Sequence, residues 1–127
     1  MKVEDYDSKC DVSDPADIEA VLSKRHGDGL NSFWLSHGAE DFPAINILVR
    51  GDLAYVHYFP KQREPGFASA AKAPGPGSNG TTIFFEYPSE KMWVSNRAVV
   101  PFSDALRVAQ EYAVSATRPK CIQWFEL

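Results

Sequence analysis

Apolar positions recur at helical spacing in two stretches of this chain and at strand spacing, or in short unbroken runs, through most of the rest. Asp14-Pro15 opens the first helical stretch, with an acceptor side chain at the N-cap and a proline where its missing N–H costs nothing. Ile18, Val21 and Leu22 then form one narrow stripe, closed by Gly27 and Gly29 around Asp28, so a short helix is expected near residues 14 to 26. In "FSDALRVAQEYAVSA", Phe102, Leu106, Ala109, Tyr112, Ala113 and Ala116 mark a longer helix, with Ser103 as its expected N-cap.

Strand signals surround these helices. "NSFWLSHG" (31 to 38) predicts a first strand, and "AINILVRGDLAYVHYFP" predicts a hairpin, because two β-rich runs flank Gly51-Asp52, the glycine-first pair that a type II′ turn favours. That register sets Val49 opposite Ala54, Ile47 opposite Val56 and Ile45 opposite Tyr58, all on one face, which is the core face. The reverse face carries Leu48, Asn46, Arg50, Leu53, Tyr55 and His57. It is too apolar to be bare and calls for a cover, either a helix or a partner.

Residues 60 to 80 break the pattern, with Pro60, Pro65, Gly66, Pro74, Gly75, Pro76, Gly77 and Gly80 predicting a flexible loop. The earlier part carries Phe67 and has the means to be tied down, whereas "AKAPGPGSNG" has the composition of a mobile tip. "TTIFFEYPSEKMWVSNRAVV" predicts a second hairpin turning at "PSEK", with Ile83, Phe85 and Tyr87 on one face, and "RPKCIQWFEL" predicts a closing strand. The expected architecture is a single α+β domain over residues 1–127: an antiparallel β-sheet of about five to six strands with two main helices.

Composition sharpens this picture. The chain has 127 residues, 44% hydrophobic, with eight Phe, five Tyr and three Trp, which suffices for a core without disulfide or metal support. Its net charge of -4 is concentrated at the start, where residues 1 to 19 hold seven acids against Lys2 and Lys9. The acidic segment 1–13 is expected to be a solvated end that repels phosphate and welcomes basic partners. There is no apolar leader and no run of apolar residues long enough for a membrane span, so the expectation is a cytoplasmic protein with no membrane association and reduced thiols at Cys10 and Cys121.

Catalytic signatures are weak. His26, His37 and His57 are scattered and neither cysteine has a C-x-x-C partner, so no metal site and no cofactor is expected. "PKC" at Pro119 to Cys121 is only faintly like the second half of a nucleobase-deaminase signature, and with Trp124 where the second cysteine belongs and no spaced Glu after His57 the chain is not such a deaminase. A Cys121/His57 nucleophile and base would make a small enzyme, although one cysteine in an aromatic strand is more often a core residue. "GPGSNGT" lacks the lysine of a P-loop. The basic patch of Lys61, Arg63 and Lys72 is too small to hold nucleic acid, which leaves a small-ligand module on the mixed sheet face as a further alternative.

Several stretches, taken in order, resemble the first Imm family of bacterial immunity proteins from polymorphic toxin systems. They are Trp34 in the first strand, Tyr55 with Tyr58 to Pro60, Pro65 to Phe67 with Ser69, Val100-Pro101, and Pro119, Trp124 and Leu127. The likeness spans about residues 30 to 127. Glu64 departs from the family's histidine before "PGF", and residues 73 to 80 form a proline-rich extension. The resemblance implies a non-enzymatic antitoxin that binds a cognate toxin domain, frequently a nucleic-acid deaminase, as a heterodimer and occludes its active site. Composition adds an expected contact surface on the Pro60 to Ser69 loop and its flanking aromatics: Tyr58, Phe59, Arg63, Glu64, Phe67 and Trp93.

Overall fold

The computed structural model describes residues 1–72 and 79–127. The expected mobile tip falls largely within 73–78, outside the described residues. The described residues form ten strands and two α-helices: β1 (Lys2–Glu4), β2 (Lys9–Asp11), α1 (Ile18–Leu22), β3 (Leu30–Ser36), β4 (Ala44–Arg50), β5 (Leu53–Phe59), β6 (Phe67–Ala70), β7 (Thr81–Tyr87), β8 (Glu90–Ser95), β9 (Val100–Pro101), α2 (Phe102–Ser115) and β10 (Gln123–Glu126). Eight of these strands make one sheet in the order β10-β6-β5-β4-β3-β1-β2, with β9 also paired to β5, while β7 and β8 form a separate hairpin. The class is α+β as expected, with more strands than the five to six the sequence suggested.

The β4–β5 hairpin has the predicted register. Val49 faces Ala54, Ile47 faces Val56 and Ile45 faces Tyr58. Gly51 takes a φ of 58°, the left-handed value its place in the turn demands. From Ala44 to Val49 every residue of β4 is buried, so both faces of the sheet are covered at its centre. Each large aliphatic side chain enclosed there contributes roughly 2 kcal/mol before entropy is subtracted.

On one face, Phe33, Leu35, Ile45, Ile47, Val49 and Val56 pack against Ile18 and Leu22 of α1 and against Ala105, Val108, Ala109 and Tyr112 of α2. On the other, Leu48, Tyr55 and Ala68 meet Phe84 and Val94 of the β7–β8 hairpin and Ala98 just after it. The cover that the reverse face required is therefore the chain's own hairpin, in place of a helix or a partner. Its inward residues are Phe84 and Val94, so Ile83 and Phe85 lie on the opposite, half-buried side. A register shift between Phe85 and Tyr87 breaks the alternation there.

Both helices differ from expectation in their ends. Asp14 does cap the first turn, accepting from the Ala16 amide at 2.9 Å, but α1 stops at Leu22. The next positions of its stripe are Arg25 and His26, and the Arg25 guanidinium instead donates to the free Leu22 carbonyl at 2.6 Å. α2 begins at Phe102 and not after Ser103: Pro101 is its extended N-cap residue and makes no side-chain cap bond. The Phe102 amide donates to the Asp52 carbonyl at 2.7 Å, which ties the helix start to the β4–β5 turn.

The acidic start is not a loose end. β1 pairs with β3 and β2 pairs with β1, while Val3 and Val12, two apolar residues among the charges, are buried in the main core. Asp5 has a side chain only 4% exposed, beside Lys24. Burial alone would raise its pKa, but bonds from the Ser8 hydroxyl, the Asn31 amide and the Asp7 and Ser8 backbone outweigh that, holding the carboxyl well below the usual range.

Ser69 fills a gap in the sheet. Along the same edge of β5, Leu53 and Ala54 pair with β9 whereas His57 and Tyr58 pair with β6, which leaves Val56 between two partners. The fully buried Ser69 hydroxyl accepts from the Val56 amide at 3.0 Å and donates to the Ala98 carbonyl at 2.7 Å. A side chain thus completes the ladder where no strand can reach.

Candidate functional site

Strand alternation divides the expected contact residues between opposite faces. Tyr58 turns toward the helices, only 8% exposed, with its ring 6.4 Å from Tyr112, 6.3 Å from Trp124 and 6.3 Å from Phe67. Phe67 lies half-buried on that same face, under the Arg118 guanidinium at 4.0 Å. Phe59, one residue beyond Tyr58, points the other way. It stacks on His57 with centroids 3.8 Å apart and on Trp34 at 5.5 Å, with the edge of Phe42 at 6.5 Å.

Arg63 and Glu64 are exposed on the connection from β5 to β6. The expected loop is shorter than 60 to 69, because Phe67 to Ala70 are already strand, paired to β5 and β10. His57 fixes its end: the imidazole Nε2–H donates to the Pro65 carbonyl at 2.6 Å, and Nδ1 faces the Tyr55 hydroxyl at 3.5 Å. Burial lowers the His57 pKa and the Pro65 bond partly offsets this, so the net shift is downward. Gly66, at φ 79°, lies so close to the Tyr58 carbonyl that an added Cβ would sit 2.1 Å from its oxygen. Only glycine fits there.

Trp93 belongs to a third surface. It is 62% exposed on β8, beside an apolar groove of about 360 Å³ that it lines with Tyr55, Met92, Phe125 and Leu127. Phe125 and Leu127 are themselves 46% and 55% exposed, so three large apolar side chains meet solvent along one edge of the molecule. The structure therefore brings Trp93 together with the chain's end, and Phe59 with Trp34 and Phe42, but it does not join the six expected residues into one patch.

Sequence reasoning missed a cleft between the N-terminal hairpin, β3 and the end of β7. It has a volume of about 280 Å³; Trp34 and Phe42 are among its walls, and Glu4, Asp41 and Glu86 are at its margin. The alternation of β3 held one clue, since Phe33 and Leu35 face the core and Trp34 must face away. The carboxylates come from three distant parts of the chain, and no spacing announces them.

The two groups of the small-enzyme alternative, Cys121 and His57, are otherwise engaged. Cys121 is half-buried against the main core; burial, then the Glu111 charge, raise its thiol pKa, which disfavours the reactive thiolate. His57 is bound to Pro65 and stacked on Phe59, and among the described residues no contact joins it to Cys121. Asp5, Asp7 and His26 bring potential ligand atoms within 4.8 Å of one another, but the Lys24 ammonium already sits among them, 2.8 Å from Asp7 and 3.5 Å from Asp5. Among the described residues, no helix is long and apolar enough to cross a membrane.

An α+β scaffold whose exposed features are aromatic anchors, an acidic cleft and a braced loop has the makings of a binding protein. Comparison with known proteins agrees. The family model for Immunity protein Imm1 matches residues 7–126, and the chain belongs to that family of immunity proteins, which act as inhibitors and not as enzymes. Over 128 aligned residues it is 26% identical to the double-stranded DNA deaminase immunity protein of Burkholderia cenocepacia (strain H111), with all of both chains covered.

Proposed function

We propose that this immunity protein neutralises a toxin domain that deaminates DNA, forming a one-to-one complex in the cytoplasm that covers the toxin's active site. The observation that carries this reading is the end-to-end similarity to an immunity protein named for a double-stranded DNA deaminase. The surface chemistry supports it. A toxin that grips DNA needs basic surface, and this chain offers an acidic complement, with a net charge of -4.

Inhibition of this kind breaks no bond. It requires a rigid surface whose anchors enter the toxin's substrate channel and exclude DNA. Exposed Trp93 and the strip ending at Phe59 are suited to anchoring, and Arg63 and Glu64 to a polar rim. Tyr58 and Phe67 act from beneath, holding β5 and β6 in place.

The test is deamination of duplex DNA by the cognate toxin domain, with and without this protein. Equimolar addition abolishes activity if the reading holds; full activity at a tenfold molar excess overturns it. Trp93→Ala and Phe59→Ala are each expected to weaken the complex by roughly tenfold or more, as loss of a buried aromatic anchor does.

A further inference from the structure

The cleft bounded by β1, β3 and the tip of the β7–β8 hairpin is a built cavity that the core does not use. β1 brings Glu4 to one wall, since Glu4 pairs directly with Trp34 in the sheet register. The hairpin brings Glu86 to the lining, its strand held by the Tyr6 hydroxyl, which donates to the Phe85 carbonyl. The turn between β3 and β4 contributes Asp41 and Phe42.

The floor is polar. Ser36 is only 6% exposed and lines the cavity, yet its hydroxyl has no hydrogen-bond partner among the described residues. The Ser32 hydroxyl, 3% exposed, accepts from the Asn46 side-chain amide at 3.1 Å. The Ser36 oxygen opens onto the cavity, where an N–H from a ligand could reach it.

The charges are equally unmatched. Asp41 and Glu86 make no ion pair among the described residues, and Glu4 has only the exposed Lys9 at 4.0 Å. Lys2, the one cation lining the cavity, makes no ion pair there either. We propose that this cleft is a receptor for a single arginine side chain presented by the partner protein. The guanidinium would lie between the Trp34 and Phe42 rings, with its fork turned toward Asp41 and Glu86 and Ser36 Oγ accepting one N–H.

Alternative occupants fit less well. The carboxylates repel a phosphate or nucleic acid. A metal ion needs ligands converging on one point, and the convergent triad among the described residues is at Asp5, Asp7 and His26, already filled by Lys24. A lysine would satisfy the charge, but as a compact point charge it cannot span planar aromatic walls and separated carboxylates as a five-donor plane does.

Identifying the partner as a toxin domain rests on the function proposed above, so the experiment has two arms. In the first, the intact protein, labelled with nitrogen-15, is titrated with N-acetyl-arginine amide and, separately, with its uncharged citrulline counterpart. Saturable shifts of the Trp34 indole N–H and the Ser36 amide are expected with arginine alone. They should weaken at least fivefold in the Asp41→Asn, Glu86→Gln double variant, whose fold is checked by the unchanged amide spectrum away from the cleft. No localised shift, an equal response to citrulline, or an unchanged response in the double variant overturns the assignment.

In the second arm, affinity for the cognate toxin domain is compared between the wild type and the double variant. A weaker variant complex supports the cleft as a contact. Equal affinities remove it from the interface while leaving the toxin partnership intact. A wild-type protein that binds arginine but no toxin overturns the partnership and leaves the receptor standing.

Discussion

Ser69 illustrates how one small side chain determines a sheet's geometry. Its hydroxyl serves the Val56 amide and the Ala98 carbonyl at once, in a spot fully closed to solvent. Ser69→Ala is expected to lower stability by about 1–3 kcal/mol, because two buried backbone groups lose their partner and water cannot replace it. Urea denaturation of the variant checks this directly. His57 gives a second expectation at the same scale. Its folded pKa is depressed by burial, so the native state favours the neutral ring, and the stability this provides is present above the unfolded value of about 6.5. It is lost as the pH falls through that value. The urea midpoint should drop between about pH 7.5 and about pH 5.5, and His57→Gln should flatten that slope.

Among the elements, the β7–β8 hairpin has the most to explain. It packs on the back of the sheet through Phe84 and Val94, buttressed by the Arg50 guanidinium on the Ile83 carbonyl at 3.0 Å. Phe84→Ala should cost roughly 3–5 kcal/mol and expose Leu48 and Tyr55, a change that thermal melting and dye binding would both register. That hairpin also marks where the sequence stopped being legible. Residues 83 to 85 are aromatic or apolar on both sides and a bulge follows them, so period-two counting could not tell Phe84's face from Phe85's. The β4–β5 register was readable because a glycine-first turn fixes it and one face alternates cleanly. β1 and β2 were not readable, since three residues apiece carry too little pattern; β2 itself is exposed, and it is Val3 of β1 and Val12, just past β2, that enter the core. Of the candidate contacts, Trp93 and Phe59 could be found as aromatics on strands, whereas the cleft arises from long-range topology that local spacing does not encode.

For the molecule as a whole, charge and shape divide the work of capture. In the proposed complex the acidic balance would act at a distance and the candidate anchors on contact. If the proposed toxin partner is basic, association with it should slow roughly tenfold between about 0.05 and about 0.5 M salt, with dissociation changing far less. Stopped-flow mixing at the two ionic strengths separates these effects. A complex whose association rate ignores salt would deny electrostatic steering any part in recognition.

The enclosure of β4 from both sides has one more consequence. Amide hydrogens from Ala44 to Val49 can trade with deuterated solvent only when helices, sheet and hairpin come apart together, so they should be the slowest in the chain and report global opening. Their exchange time is then a clock for the lifetime of the native protein, one that can be read while the outer strands are engaged elsewhere.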